Sequence, residues 1–314
     1  MTLKKALFQT MVVGSLPRPQ WIRDLIQDRK AGIISNLDAN EMLDQAIPLA
    51  IQMQERAGLD FVSDGEWRRE SYVKVFSDAV DGFENDLITA GGKSSIDSKL
   101  SFQVSYPAVV STISRREPIT LYEAKFLQEH TSSKTIVAIP SPYTLGRRMW
   151  SKDHSISAYP EREEFMHACV PIIQQEIQEL ASIGIDMIQI DDPWLSLLVD
   201  PTYRDREHIY NVDKEIELSV NFINESIIGV KEVSFSVHLC HAHWNRTHMT
   251  KGPYDLIVGG LQEMKVDRVA MELATPDAGG IEFLKDFPSD KVIGLGVIDH
   301  TNPIIETVEE VVTK

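Results

Sequence analysis

The segment SFSVHLCHAHWNRTH, residues 234–248, holds four of the nine histidines and one of the two cysteines. His238 and Cys240 are two residues apart, so on a β-strand both side chains point to the same face. Imidazole and thiolate are ligands that zinc prefers. An isolated H-x-C pair is also a common coincidence, so a zinc site needs further ligands. His241, His243 and His248 follow the strand, and we interpret them as groups around the ligands or facing a substrate, not as ligands.

Other predicted strands also end in polar side chains. In 268–274, Glu272 lies between Ala270 and Ala274 on the inward face, and a buried carboxylate is costly unless it is paired or bound to a metal. The same alternation puts further groups on the inward faces of three more strands, namely Gln189 with Asp191, Val62 and Asp64 with Glu66, and Gly294 and Gly296 with His300. Each could be a solvated strand end, but five such ends meeting in one place favour a functional site.

The elements that would position these groups follow a regular rhythm. Seven β-branched runs predict strands at 10–15, 59–66, 134–142, 185–193, 233–240, 268–274 and 291–299. Amphipathic helices are predicted between them, for example at 39–58 and 161–184, both ending in glycine. Strands that alternate with helices predict a parallel sheet, and polar strand ends favour a (β/α)8 TIM-type barrel with its site at that face. An open doubly wound sheet is the alternative, since it also binds ligands at strand ends.

The chain is interpreted as a single catalytic barrel domain over 1–314, with one irregular segment at 84–122. Within it, 84–99 is predicted as a loop and 100–120 as a β-hairpin inserted after the second unit. Residues 305–314 predict the start of a seventh helix. Because only seven strands are predicted, we expect the eighth strand to be missing from this chain.

The amino-acid composition limits which classes of protein this chain can belong to. With 314 residues, 43% hydrophobic and 25% charged, the chain can form one large α/β domain. No run approaches the ~18 apolar residues of a membrane span. The net charge of −16 argues against a nucleic-acid-binding protein. Cys169 and Cys240 lie far apart, which predicts no disulfide framework and a reducing compartment, the cytoplasm; Cys169 is predicted to be a core residue.

Six short motifs occur along the chain in a fixed order. They are VVGSLPRP (12–19), DGEWRRESYVKVF (64–76), PAVVSTISRREPIT (107–120), IQIDDPWL (188–195), HLCHAHW (238–244) and GLGVIDHTNP (294–303). From about residue 10 to its end, the chain resembles the C-terminal catalytic barrel of the cobalamin-independent methionine synthase family. The wider group includes zinc-dependent alkyltransferases that act on other thiols.

The resemblance implies roles for individual residues. Zinc would be held by His238, Cys240 and Glu272. The amino-acid substrate would be contacted by Gly14, Ser15 and Glu66, with Asp191 on its amino group, and His300 would donate a proton. The implied reaction moves a methyl group to the thiol of homocysteine, giving methionine. The implied methyl donor is 5-methyltetrahydrofolate or another carrier such as a corrinoid protein.

The chain departs from the family pattern in three respects. The family's fourth zinc ligand is a cysteine on the eighth strand, and this sequence stops before it. The N-terminal half of the long form is absent. The segment that stacks on the folate pterin reads IPSPYTLGRRMW (139–150), without the expected tryptophan, and Tyr143 is the candidate replacement. The alternatives are therefore an alkyltransferase acting on a different thiol, or a non-catalytic homologue that has lost the fourth zinc ligand.

Overall fold

A computed structural model describes residues 8–89, 106–244 and 247–313. The strands are β1 Phe61–Val62, β2 Val80–Thr89, β3 Tyr106–Arg115, β4 Lys134–Pro140, β5 Met187–Asp191, β6 Ser234–Leu239, β7 His243–Trp244, β8 Thr247–His248, β9 Arg268–Glu272 and β10 Val292–Gly296. The helices are α1 Gln20–Lys30, α2 Asn36–Arg56, α3 Lys74–Ala79, α4 Leu121–His130, α5 Pro142–Met149, α6 Arg162–Ser182, α7 Pro193–Leu197, α8 Pro201–Arg206, α9 Val212–Ser226, α10 Val258–Glu263 and α11 Val308–Val312. Short 3-10 helices lie at Tyr254–Ile257, Pro276–Ala278 and Glu282–Asp286.

Six strands form one parallel sheet in the order β1-β4-β5-β6-β9-β10. This order follows the chain without a reversal, whereas a doubly wound sheet reverses its order at a switch point. The α/β class is confirmed, and the sheet is consistent with a TIM-type barrel. In the part of the chain that the structure describes, no helix combines the length and apolar character needed to cross a bilayer.

The two helices predicted from periodicity are present as α2 and α6. The hydroxyl of Ser35 accepts a hydrogen bond from the Asp38 N–H and caps the start of α2. Leu43, Ile47 and Ile51 recur every four residues along α2, and all three are fully buried. Through these side chains α2 packs into the hydrophobic core that also contains Val62 of β1.

The predicted strands at the N-terminal end of the chain are partly wrong. Residues 10–15 form no strand; Thr10 O accepts hydrogen bonds from the N–H groups that open the β1 region, and Leu16 N donates to Gly65 O at 3.1 Å. The second strand, predicted over 59–66, spans only Phe61–Val62. Gly65 (φ 73°) and Glu66 (φ 55°) adopt left-handed backbone conformations, which cannot continue a strand. The alternation that placed Asp64 and Glu66 on one face therefore does not apply.

A second, antiparallel sheet pairs β2 with β3. Residues 84–89, predicted as loop, belong to β2, and β3 falls inside the segment predicted as a hairpin. Residues 90–105, which complete the predicted loop and hairpin, lie outside the described residues. Phe83 of β2 packs edge-to-face on Phe76 and Phe165, so the large apolar side chain anchors this sheet to α3 and α6.

Candidate metal and substrate site

The register of the parallel sheet brings the predicted site residues to one end of it. Asp191 of β5 pairs with His238 of β6, and Leu239 pairs with Met271 of β9. One residue further along their strands stand Cys240 and Glu272. Cys240 and Glu272 therefore follow paired positions on adjacent strands, which lie about 4.8 Å apart. The three zinc ligands implied by the resemblance, His238, Cys240 and Glu272, thus come from the ends of the neighbouring strands β6 and β9. Among the described residues, however, the potential ligand atoms that gather around Glu272 are those of His243 and His248, not those of His238 and Cys240.

His238 is held between a carboxylate and a thiol. Its Nδ1 lies 3.0 Å from Oδ1 of Asp191, which also accepts a hydrogen bond from Gln189 Nε2 at 2.8 Å. Burial alone would lower the pKa of His238, but Cys240 and Asp191 outweigh burial and raise the pKa well above its usual value. With Nδ1 turned to Asp191, Nε2 is the nitrogen that remains for a metal, an arrangement common among zinc-binding histidines.

Glu272 is surrounded by histidines. Its Oε2 lies 2.8 Å from His243 Nε2 and accepts a hydrogen bond from the backbone N–H of His241 at 3.3 Å. Its Oε1 lies 2.5 Å from His248 Nε2. Burial would raise the pKa of Glu272, but His243 and His248 outweigh it and hold the pKa at about 2. Glu272 is therefore a carboxylate that stays charged at neutral pH and could serve as an anionic ligand.

Sequence analysis did not count His243 and His248 among the ligands. They are paired across the short antiparallel strands β7 and β8, which places both side chains on one face. Together with Glu272 they form a group whose potential ligand atoms all lie within 4.8 Å of one another. His300 is exposed, and its ring centroid lies 4.1 Å from that of His243. The signal in the sequence was the spacing of the two histidines, H-x4-H.

The residues expected to bind an amino acid form a second group. The Ser15 hydroxyl donates to Glu66 Oε2 at 2.7 Å, and Arg69 Nη1 lies 3.5 Å from Glu66 Oε1. Burial raises the pKa of Glu66; Arg69 opposes this and the nearby Asp191 adds to it. Gly14 and Glu66 line the same small cleft. The predicted substrate residues of the first two motifs therefore lie together, close to Asp191.

Asp64 lines the same cleft, although no role was assigned to it from sequence. It is 6% exposed; its Oδ1 accepts a hydrogen bond from the Glu66 N–H, and its Oδ2 is buried without a hydrogen-bond partner among the described residues. A buried carboxylate oxygen without a donor is costly. A substrate ammonium group in the cleft would supply that donor.

The expectation for Tyr143 is wrong. Tyr143 is fully buried in α5, and its hydroxyl donates to Glu215 Oε2 at 2.6 Å, so it offers no exposed ring on which a methyl donor could stack.

Two further buried groups have raised pKa values. Asp192 is fully buried and accepts hydrogen bonds from the Thr144 and Ser219 hydroxyls. Burial raises the pKa of Asp192 to about 6 despite these hydrogen bonds. Cys169 is fully buried, as predicted, and burial raises the pKa of its thiol well above the usual value.

A family profile described as "Cobalamin-independent synthase, Catalytic domain" matches residues 8–314. The chain belongs to this family. It is 30% identical to methionine synthase of Saccharolobus solfataricus, over 98% of this chain and 82% of the relative. It is 28% identical to methionine synthase of Pyrococcus furiosus, over 97% of this chain and 79% of the relative.

Solved structures with the same fold include a B12-independent methionine synthase from Shewanella sp. W3-18-1 in complex with selenomethionine. That chain has a TM-score of 0.78 and 24% identity, with 98% of this chain and 85% of the other covered. The resemblance drawn from the six motifs is confirmed by family membership. So is the prediction of an enzyme, a methyltransferase of the methionine synthase type.

Proposed function

We propose that this member of the cobalamin-independent synthase family is a zinc-dependent methyltransferase that converts homocysteine to methionine. The observation that carries the proposal is the Asp191–His238 contact beside Cys240, with Glu272 at the neighbouring strand end. A carboxylate that contacts one ring nitrogen of a histidine, with a thiol beside the ring, is the arrangement expected of a zinc-binding histidine and its orienting partner.

The donor set fits zinc. His238 and Cys240 supply nitrogen and sulfur, Glu272 supplies an oxygen, and three protein ligands leave a position open for a substrate. When bound, zinc stabilises the thiolate form of an acceptor thiol near neutral pH. Neighbouring side chains orient the ligands. Asp191 fixes the ring of His238, and His243 and His248 fix the carboxylate of Glu272.

The acceptor amino acid is assigned to the cleft lined by Gly14, Asp64 and Glu66. Its ammonium group would meet the carboxylates of Asp64 and Glu66, while its carboxylate would meet backbone N–H groups at Gly14 and Ser15. Asp191 contacts His238 and Gln189 through Oδ1. We therefore assign it two roles: Oδ1 orients the zinc-binding His238, and Oδ2 contacts the substrate amino group.

His300 is proposed as the proton donor to the leaving group of the methyl donor. A methyl group on a tertiary amine such as N5 of a folate leaves only when that nitrogen is protonated, whereas a methylcorrinoid donor needs no such proton. The donor is proposed to be 5-methyltetrahydrofolate or another methyl carrier, without Tyr143 as a stacking partner. The inserted hairpin, the single-domain boundaries and a cytoplasmic location are part of the same proposal.

Metal analysis of the purified protein tests the proposal. Wild type is expected to contain zinc at the H-x-C pair, lost in His238→Ala and Cys240→Ser. X-ray absorption should then detect one additional sulfur ligand when homocysteine is added. A zinc-supplemented wild type without zinc–sulfur ligation would refute the zinc assignment, and no added sulfur would refute homocysteine as the acceptor.

Two alternatives are separated by related measurements. An alkyltransferase acting on another thiol would bind zinc but prefer a thiol without an amino-acid backbone in competition assays. The buried carboxylates of Asp64 and Glu66 favour an ammonium-bearing acceptor. A non-catalytic homologue would bind an amino acid without methyl transfer from any donor class.

A further inference from the structure

Glu272 has more nitrogen donors around it than the proposed zinc site uses. The H-x-C pair comes from β6, whereas His243 and His248 approach Glu272 from the β7–β8 pair. His243 Nε2 and His248 Nε2 lie 2.8 Å and 2.5 Å from the two oxygens of the same carboxylate. The two histidines and Glu272 therefore form a ligand set of their own, distinct from His238 and Cys240.

His248 shows a feature typical of a metal-binding histidine. Its Nδ1 lies 3.2 Å from Oδ2 of Asp277, which is itself paired through Oδ1 with Lys251 at 2.9 Å. An outer carboxylate on one ring nitrogen fixes the ring and leaves the other nitrogen for the metal. The side chain of His248 is 4% exposed, so the ring is held in place on both sides.

His243 gives an independent indication. Its Nε2 is buried and lies 2.8 Å from Glu272 Oε2, so its near partner is the carboxylate that His248 also contacts. A cation between His243, His248 and Glu272 would be reached by both imidazoles and by the carboxylate, and the exposed ring of His300 lies beside His243.

We propose that His243, His248 and Glu272 bind a divalent transition-metal ion at a second site beside the H-x-C pair. Two imidazoles and a carboxylate without sulfur suit zinc or a similar divalent ion. Ligand atoms around tetrahedral zinc lie about 3.5 Å apart, so atoms within 4.8 Å of one another need only small side-chain movements. Water completes the shell, and Glu272 is shared with the site of the proposed function.

Cobalt titration of the metal-stripped protein tests this second site. Thiolate–cobalt charge-transfer absorption reports the H-x-C pair, and equilibrium dialysis counts the bound ions. Wild type is expected to bind two Co²⁺ per chain. His243→Ala/His248→Ala should lose one ion and keep the thiolate band, whereas Cys240→Ser should lose the band and keep one ion. His154→Ala, a histidine outside the cluster, is the matched control.

The possible outcomes separate the two proposals. One ion per chain that is lost in Cys240→Ser and unaffected by His243→Ala/His248→Ala would overturn the second site. One ion without a thiolate band, lost in the double variant, would support the second site and refute the H-x-C assignment. Because the double variant could fold poorly, anomalous scattering from zinc-soaked wild-type crystals gives an independent answer: a peak between His243, His248 and Glu272 supports the site, and its absence contradicts it.

Discussion

His238 Nδ1 lies 3.0 Å from Asp191 Oδ1, so the carboxylate expected to bind substrate is in contact with an expected zinc ligand. The contact arises because Asp191 and His238 are paired residues on neighbouring strands. Under the proposed function, Asp191 would orient His238, because it engages Nδ1 and leaves Nε2 for the metal.

Asp191→Asn is therefore expected to weaken zinc binding about 10- to 100-fold, the usual effect of losing an outer carboxylate. Competition with a chromophoric chelator measures the affinity. Asp205→Asn, which changes an exposed aspartate of α8, is the control and should leave the affinity unchanged. Equal affinities of wild type and Asp191→Asn would contradict the orienting role.

Glu66→Gln is expected to raise the KM for homocysteine about 10- to 100-fold with a smaller change in kcat. A hydrogen bond to a charged group contributes about 1.5–3 kcal/mol, and the amide has no charge to offer the substrate ammonium. Steady-state kinetics measures both constants. Glu70→Gln removes a nearby carboxylate that pairs with Lys30 and Lys74 and should leave KM unchanged. A loss confined to kcat would argue against an anchoring role for Glu66.

Asp192 is expected to make wild-type stability depend on pH in a way that Asp192→Asn does not. Burial raises the folded-state pKa to about 6 from the ordinary 3.8, so folding takes up a proton. That contribution is fully present below about pH 4 and is lost as the pH rises through 6. Between pH 4 and 7, the free energy of unfolding of wild type should fall relative to Asp192→Asn by up to about 3 kcal/mol.

Urea unfolding at several pH values measures this difference. Ser219→Ala removes a hydroxyl that donates to the Asp192 carboxylate, so it should move the transition to higher pH. Parallel pH profiles for wild type and Asp192→Asn would show that Asp192 keeps an ordinary pKa in the folded protein.

Adjacent glycines of α10 should respond differently to alanine. A Cβ at Gly260 would lie 2.5 Å from Cγ2 of Ile216, whereas a Cβ at Gly259 meets nothing within 4 Å. Gly260→Ala should lower the free energy of unfolding by about 1–3 kcal/mol through overpacking. Gly259→Ala should be neutral or stabilising by about 0.5–1 kcal/mol. Chemical denaturation compares the two, and equal effects would contradict the packing of α10 on α9.

Tyr143→Phe should reduce stability and leave the methyl donor unaffected. The variant removes the buried hydrogen bond to Glu215, which should cost about 1–3 kcal/mol. The KM for 5-methyltetrahydrofolate should not change, because the ring lies in the core. Thermal unfolding and steady-state kinetics measure the two effects. A raised KM for the methyl donor in Tyr143→Phe, with unchanged stability, would show that Tyr143 contacts the donor.

Local patterns in the sequence were sufficient for the elements with strong periodicity. Helices α2 and α6, the parallel β4, β5, β6, β9 and β10, and the buried Cys169 follow from side-chain spacing and apolar content. Alternation along β6 also selected His238 from the four clustered histidines. The strand predicted over 59–66 was too long because the left-handed backbone at Gly65 and Glu66 is not visible in the residue pattern.

The sequence alone determined the class of protein, the family and the group of side chains that could hold zinc, because these depend on residue type and short-range spacing. Only the tertiary structure decided which of these groups are in contact. Sheet register joined Asp191 to His238, strand pairing turned His243 and His248 towards Glu272, and burial removed Tyr143 from the site. Register and burial are set by packing between distant segments, so no local pattern specifies them.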